Sequence, residues 1–134
     1  TYRSASERVA ALERFAKSKL PLVLVAPSME RGIDLPDNLC RLIIVAKVPF
    51  PNLGDRQVQA RVYGLRSHGR DSKGQQWYDS QTIRDLVQMT GRGVRHENDW
   101  AISYILDEQF GHLYDEHKTW FPSWWREALD MGKR

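Results

Sequence analysis

Three short apolar runs constrain the fold of this chain most strongly. They are Leu22–Ala26, Leu42–Ala46 and Trp100–Leu106, and all three contain β-branched residues. Each run is too short for a typical buried helix, and its residues are apolar almost continuously rather than alternately. That pattern is typical of strands in a parallel sheet whose two faces are both covered. The chain therefore predicts an α/β fold with a mostly parallel sheet flanked by helices.

Helices are predicted on both sides of these strands. Residues 4–19 have a capping-box spacing between Ser4 and Glu7. The apolar face of this helix is predicted to consist of Ala5, Val9, Leu12 and Ala16. Further helices are predicted from Asp55 to about Leu65, from Ser80 as N-cap through Arg95, from about Asp107 to Lys118, and after Ser123 as N-cap. A polar stretch at about 64–80, rich in Gly, Ser and charged residues, predicts an exposed insert.

Size and composition limit the class of protein. The 134 residues suit one domain spanning 1–134, and 41% hydrophobic with 28% charged residues is ordinary for a soluble protein. No apolar run is long enough to cross a membrane, and the N-terminal stretch lacks the core of a signal peptide. The single cysteine, Cys40, cannot form an internal disulfide, which predicts a reducing, cytoplasmic setting and a buried, inert thiol. A net charge of +3 and a pI of about 9.2 are compatible with a polyanionic partner.

The stretch QMTGRGVR, residues 88–95, carries the strongest chemical signal. On one continuous helix, Gln88, Arg92 and Arg95 fall within an arc of roughly 60°. The opposite face is predicted to contain Ile83, Leu86, Val87, Thr90 and Val94. Two neighbouring guanidinium groups repel each other unless an anion lies against them, and their geometry matches phosphate oxygens. The alternative is an amphipathic helix with a solvated basic face.

The stretch APSMERGIDLP, residues 26–36, follows the first apolar run directly. Open α/β sheets bind ligands at the carboxyl ends of their strands. Ser28 offers a hydroxyl, Gly32 permits close backbone approach, and Asp34 could accept hydrogen bonds from a ribose hydroxyl or a metal-bound water. The alternative is a turn that ends the strand, with Asp34 and Pro36 in turn roles.

Taken together, the two stretches resemble motifs V and VI of superfamily 2 helicases. The pattern is S-x-x-x-G-I-D-L-P followed about 55 residues later by Q-x-x-G-R-x-x-R. The intervening IIVAKVPFPNLGD and the later DWAISYILD narrow the resemblance to the XPD/DinG-like branch. The resemblance covers roughly residues 5–130.

The resemblance implies a RecA-like second lobe of an ATP-dependent DNA helicase, which closes on ATP held by a first lobe. In that case Gln88, Arg92 and Arg95 contact the triphosphate, and Arg95 is the best arginine-finger candidate. Gly32 and Asp34 lie on the nucleotide side of motif V. Ser28 and Arg31 are the candidate contacts to single-stranded DNA. A guanidinium placed where negative charge develops on a transferred phosphoryl group accelerates the reaction by roughly 10³–10⁵.

Two features qualify this interpretation. The family usually has Glu immediately before the motif V glycine, whereas this chain has Arg31 there and Glu30 one position earlier. The chain also contains no G-x-x-x-x-G-K-[ST] loop, no acidic box for Mg²⁺ and no cysteine cluster for an iron–sulfur centre. The resemblance therefore implies that most of the contacts to ATP and Mg²⁺ come from an N-terminal helicase lobe. It also implies that this chain does not hydrolyse ATP alone. A non-catalytic nucleic-acid- or partner-binding module with the same fold is the alternative, whereas a Rossmann-type enzyme is disfavoured because no G-x-G-x-x-G follows a strand.

Several other residues have two readings. His112 and His117 are five apart rather than four, so no metal site is predicted. The four aromatic residues near the C-terminus could stack on unpaired bases, but docking of the last helix onto the sheet is favoured. They are Trp120, Phe121, Trp124 and Trp125. Three basic residues of the insert could follow a DNA backbone or belong to a solvated loop, namely Arg66, Arg70 and Lys73.

Overall fold

The structure is a computed structural model that describes residues 5–25, 35, 37–64, 72–94 and 97–132. Within these ranges, the chain forms five α-helices and two strands. Their order is α1 (Ala5–Lys17), β1 (Leu42–Val45), α2 (Arg56–Tyr63), α3 (Lys73–Thr90), β2 (Ile102–Ile105), α4 (Gln109–His117) and α5 (Ser123–Glu127). Short 3₁₀ turns lie at Asp37–Cys40, Gly91–Gly93 and Lys118–Trp120. This content of helices and strands is that of an α/β fold, as the apolar runs predict.

The second and third apolar runs form the sheet. β1 and β2 pair in parallel, with Leu42 opposite Ile102 and Val45 opposite Ile105. The first apolar run is not a strand in the part of the chain that the structure describes, because residues 21–25 have no regular structure and Ala26 lies outside the described residues. Val23, for example, is 86% exposed. A strand exists only where its backbone N–H and C=O groups pair with a neighbour, and apolar composition alone does not supply one.

The two faces of the sheet have different surroundings. Val45 is buried, and Ile43 and Ile105 pack against the same core. The opposite face carries five exposed apolar residues, namely Leu42, Ile44, Ile102, Tyr104 and Leu106. The prediction that both faces are covered is therefore wrong for the described residues, since helices pack on one face only.

The main core packs α3, α4 and α5 against the sheet. Its nine buried members come from β1 and the segment after it, from α3, from α4 and from the C-terminal segment. They are Val45, Val48, Ile83, Leu86, Phe110, Leu113, Tyr114, Phe121 and Trp125. Four of these are aromatic and interleave, with Phe121 and Trp125 stacked at 4.8 Å between ring centroids. Aromatic pairs of this kind add to the apolar area that they bury.

Helix α1 confirms the helix predicted at residues 4–19, although its buried face differs. Leu12 and Phe15 pack against a second, smaller cluster around Leu35 and Cys40. Val9 is 56% exposed, and Ala16 is exposed as well. The face of α1 that packs on this cluster therefore includes Phe15, which was not part of the predicted apolar face. Ser4, the predicted cap, lies outside the described residues.

Helix α3 begins earlier than predicted. Ser72 is its N-cap and accepts a hydrogen bond from the Gln75 N–H, whereas Ser80 lies inside the helix and donates to the Trp77 carbonyl. The predicted exposed insert is therefore helical from residue 73 onward, and residues 65–71 lie outside the described residues. The cause is packing, because a Cβ at Gly74 would lie 2.1 Å from the Val62 carbonyl oxygen, which shows how closely α2 and α3 approach.

The remaining helices agree with the sequence, apart from one cap. Asp55 is the N-cap of α2 and accepts from the N–H of Gln57, so the helix begins one residue after the predicted start. α4 ends at His117, one residue before the predicted end. Ser123 is the first residue of α5 and makes no side-chain cap bond, so its predicted capping role is wrong. None of the helices in the described ranges is long and apolar enough to span a membrane.

Candidate phosphate-contacting site

The end of α3 carries the residues that the sequence analysis singled out. The helix ends at Thr90 and continues as the 3₁₀ turn Gly91–Gly93, after which Val94 is extended at φ −125° and ψ 118°. Val94 is 49% exposed rather than part of the buried face. The predicted arc of roughly 60° assumed one continuous helix through residue 95, so that geometry is wrong. Arg95 lies outside the described residues.

Gln88 and Arg92 are the two members of the predicted set that the structure describes. Gln88 is exposed in the last turn of α3, and Arg92 is half-buried in the 3₁₀ turn that follows. Ile83 and Leu86, on the same helix, are 4% and 0% exposed, as the helical period predicts. The helix end thus places an amide and a guanidinium within one turn of each other while its apolar side lies in the core. Both groups can donate hydrogen bonds to phosphate oxygens.

Gly93 explains how the 3₁₀ turn is held. A Cβ at this position would lie 2.6 Å from the Cys40 carbonyl oxygen and 2.2 Å from the Ala101 Cβ, so only glycine fits without movement. The QMTGRGVR stretch therefore packs against the turn Asp37–Cys40, which directly follows the APSMERGIDLP stretch in sequence. No sequence pattern identified this contact. The sequence signal for this contact is Gly93 itself, because a helix that continued through residue 95 would need no glycine at that position.

The pKa of the Cys40 thiol depends on burial and on the charges beside this contact. Its side chain is buried, and burial raises the pKa of the thiol because the thiolate would lose its hydration. The positive charges of Arg92 and Arg41 act in the opposite direction, and the effect of burial is larger. The predicted buried position of Cys40 is confirmed.

The motif V candidates lie outside the described residues. These are Ser28, Arg31, Gly32 and Asp34, together with the turn candidate Pro36. Leu35 is the one residue of this stretch that the structure describes, and it is buried against Cys40 and packed by Leu12 and Phe15. The stretch therefore contributes an apolar anchor beside the segment that Gly93 contacts.

Arg41 connects the amino ends of the two strands. One of its guanidinium nitrogens donates to the Asp99 carboxylate and to the Trp100 carbonyl, and Nε donates to the Asn38 side chain at 3.2 Å. The guanidinium also lies 5.0 Å from the centre of the Trp100 ring. The Asp99 side chain is 1% exposed, so this ion pair is shielded from water on the acidic side. No local pattern could identify it, because 58 residues separate the two partners.

Asp107 makes the corresponding connection at the carboxyl ends of the strands. Its carboxylate accepts from the Val48 N–H at 3.0 Å and from the Gln109 N–H at 3.1 Å. The Val48 hydrogen bond is the main cause of a pKa below the ordinary value for Asp107, because it stabilises the charged form. Asp99 and Asp107 are the first and last residues of the stretch DWAISYILD, which contains β2. Both carboxylates form hydrogen bonds with neighbouring segments.

Comparison with known proteins identifies the family. A model described as the helicase C-terminal domain matches residues 1–128. The chain belongs to the helicase C-terminal domain family. It is 31% identical over 108 residues to the Fanconi anemia group J protein homolog of Gallus gallus, covering 75% of this chain and 8% of that protein. It is 28% identical over 137 residues to the ATP-dependent DNA helicase CHL1 of Yarrowia lipolytica, covering 90% of this chain and 17% of that protein.

A third relative agrees with these two. The regulator of telomere elongation helicase 1 of Rattus norvegicus is 31% identical over 107 residues, which is 75% of this chain and 8% of that protein. These relatives confirm the resemblance to the XPD/DinG-like branch of superfamily 2. This helicase C-terminal domain spans less than a fifth of the length of each of the three relatives. No solved structure matches the chain significantly.

In this helicase C-terminal domain the structure describes two histidines, His112 and His117. His117 Nε2 lies 3.1 Å from Asp79 Oδ2, and its ring stacks on Trp120 at 4.1 Å. Asp79 also accepts from the Gln75 side chain at 2.9 Å, so this group joins α3 to the end of α4. His112 is exposed. Among the described residues, no three His, Cys, Asp or Glu side chains are grouped to hold a metal ion.

The C-terminal aromatic residues divide into two pairs. Phe121 and Trp125 are buried in the core, which confirms that they dock the last helix. Trp120 and Trp124 are 41% and 56% exposed, so the docking prediction is wrong for these two. Of the basic residues predicted in the insert, Lys73 is exposed in the first turn of α3, and Arg66 and Arg70 lie outside the described residues.

Proposed function

We propose that this chain is the RecA-like second lobe of an ATP-dependent DNA helicase and that domain 1–134 contains motifs V and VI. Gln88, Arg92 and Arg95 then contact the triphosphate, and Arg95 is the arginine finger. The observation that carries the proposal is the end of α3, where the last helical turn carries an exposed amide, the next turn carries a half-buried guanidinium, and the other side of the helix is buried. The matching family model over residues 1–128 supports it independently.

The donors of this site fit a polyphosphate rather than a metal ion. An amide N–H and a guanidinium donate to phosphate oxygens, and neither coordinates Mg²⁺. The two aspartates that bracket β2, Asp99 and Asp107, bond to Arg41 and to backbone N–H groups. We therefore assign Mg²⁺ and most of the ATP contacts to a first lobe, either in the same polypeptide or in a separate subunit.

The other predicted contacts complete the proposal. Gly32 and Asp34 lie toward the nucleotide, and Ser28 and Arg31 lie toward single-stranded DNA. Names of the relatives support DNA as the substrate, because the Yarrowia protein is called an ATP-dependent DNA helicase. Closure of the two lobes brings the guanidinium groups to the phosphoryl group that is transferred. Their positive charge then stabilises the transition state more than the bound ground state.

The test uses a complete two-lobed motor that contains this chain. We expect Arg95→Ala to lower kcat for ATP by roughly 10³-fold or more while the KM changes only a few-fold. Arg95→Lys is expected to fail as well, because a point charge does not reproduce the planar fork. The thermal unfolding midpoint of both variants should match that of the unmodified motor. Unfolding of Arg95→Ala with normal turnover in the folded fraction would mean that the residue is only structural.

One alternative has a specific observation in its favour. Arg31 occupies the position where the family usually has Glu, which favours a non-catalytic nucleic-acid- or partner-binding module with the helicase fold. In that case the complete protein binds DNA but shows no DNA-stimulated ATP hydrolysis, and Arg95→Ala changes nothing. The same ATPase assay therefore separates the two functions.

A further inference from the structure

A hydrogen bond from a buried core residue reaches the last turn of α3. Trp125 Nε1 donates to Thr90 Oγ1 at 2.8 Å. The Thr90 hydroxyl donates its own proton within the helix, toward the Leu86 carbonyl oxygen at 3.0 Å and the Val87 carbonyl oxygen at 3.2 Å. A threonine hydroxyl has one proton to donate, and the indole N–H can only donate. The indole therefore fixes the direction of the hydroxyl, which must point its proton back along the helix.

The indole itself has little freedom to move. The Trp125 ring is 7% exposed and stacks on Phe121 at 4.8 Å. Phe110 meets it edge to face at 5.9 Å. Helix α5 has only five residues and is too short to be stable alone. Packing of the aromatic rings, and not the helix, therefore holds Trp125 in place.

The other end of the same short segment is held by backbone contact. Gly93 lies against Ala101 and the Cys40 carbonyl with no room for a Cβ. At the Thr90 end, the Ser103 hydroxyl also donates to the Thr90 carbonyl at 3.5 Å. Arg92 lies between Thr90 and Gly93, so its backbone is fixed on both sides by groups that do not touch a ligand.

We propose that Trp125 is a positioning residue, which holds the end of α3 so that Gln88 and Arg92 meet the phosphates in the correct geometry. This inference rests on the proposed function of those two side chains. Catalytic donors act best when the protein has already placed them, and a misplacement of about 1 Å can cost on the order of 100-fold in rate. Loss of the indole N–H lets the Thr90 hydroxyl rotate and loosens the turn that carries Arg92.

The experiment compares variants of the complete two-lobed motor. Trp125→Phe keeps an aromatic ring and removes the N–H, and Thr90→Val keeps the shape and removes the hydroxyl. Each is expected to lower kcat for ATP by about tenfold with the KM for ATP changed less than threefold, as expected for a misplaced transition-state contact. Because both changes break the same bond, the double variant should be no slower than the slower single variant.

A matched control separates positioning from stability. Val48 is buried in the same core but comes from the segment after β1, so Val48→Ala weakens the core and keeps both partners of the Trp125–Thr90 hydrogen bond. We expect Val48→Ala to lower the urea midpoint at least as much as Trp125→Phe while kcat stays within twofold of the unmodified motor. An equal fall in kcat for Val48→Ala, or a normal kcat for Trp125→Phe, would overturn the positioning role.

Arg92→Ala, measured in parallel, tests the function on which this inference rests. If Arg92→Ala hydrolyses ATP normally, the proposed phosphate contact is wrong whatever Trp125 does. If Arg92→Ala is inactive and Trp125→Phe is normal, the phosphate contact stands and only the positioning role is wrong. The expected result is that both variants are impaired and that Arg92→Ala is impaired more.

Discussion

The N-terminal region (residues 5–25) and the C-terminal region (residues 72–94 and 97–132) differ in what their apolar residues contact. In the C-terminal region, α3, α4 and the last segment supply seven of the nine residues of the main core. In the N-terminal region, none of the side chains described is buried, and Leu20 and Val23 are 74% and 86% exposed. Both regions are rich in apolar residues. The comparison shows that apolar composition stabilises a region only where the topology supplies partners.

The largest expected effect comes from the core of the C-terminal region. Phe121 is 2% exposed and contacts the rings of three other core residues. We expect Phe121→Ala to lower the free energy of unfolding by about 3–5 kcal/mol, because it removes buried apolar area and leaves a cavity. Val23→Ala, the matched change in the N-terminal region, should alter it by less than about 0.5 kcal/mol. Urea unfolding followed by tryptophan fluorescence measures both, and similar losses would contradict the difference between the two regions.

A smaller effect is expected where the C-terminal region meets the turn Asp37–Cys40. Gly93→Ala would place a Cβ 2.6 Å from the Cys40 carbonyl oxygen, and we expect a loss of about 1–3 kcal/mol in the free energy of unfolding. Gly91→Ala is the control in the same 3₁₀ turn. A Cβ there meets nothing within 4 Å, and its φ of −77° suits any residue. Gly91→Ala should therefore be neutral or stabilising by up to about 1 kcal/mol. Equal losses for the two variants would show that the close contact at Gly93 is not restrictive.

The smallest expected effect concerns how firmly the N-terminal region covers Cys40. Because the thiolate is the reactive form, a buried thiol with a raised pKa should react with a disulfide reagent at least tenfold more slowly in the folded chain than in urea. Leu12→Ala should speed this reaction, since Leu12 packs against the cluster around Cys40. Val9→Ala, on the exposed side of the same helix, should leave the rate unchanged. Equal rates for the two variants would mean that α1 does not shield the thiol.

The same raised pKa gives the sign of a pH effect. A thiol whose pKa is higher in the folded state contributes stability below its unfolded pKa of about 8.5, and that contribution is lost as the pH rises through the folded value. Urea midpoints measured between neutral and alkaline pH should therefore fall more for the unmodified chain than for Cys40→Ala. The reverse order would contradict the pKa direction.

Sequence patterns predicted most of the local structure and part of the site. The short apolar runs located β1 and β2, and the helical period of α3 correctly assigned Ile83 and Leu86 to the core. The same period failed after Thr90, because the helix gives way to a 3₁₀ turn there and Val94 becomes exposed. Hydrophobic period describes what a helix would do if it continued, and it contains no information about where packing ends it.

By itself, the sequence determined the family, the location of β1 and β2 and the residue types gathered at the end of α3. Each motif and each apolar run depends on spacing within a few residues, which helical and strand geometry convert directly into faces. Only the tertiary structure decided that Trp125 bonds to Thr90, that Gly93 lies on Cys40 and that Arg41 pairs with Asp99. Their partners are separated in sequence by 35, 53 and 58 residues. Such contacts are set by the path of the chain through the fold, and no local pattern of residues records that path.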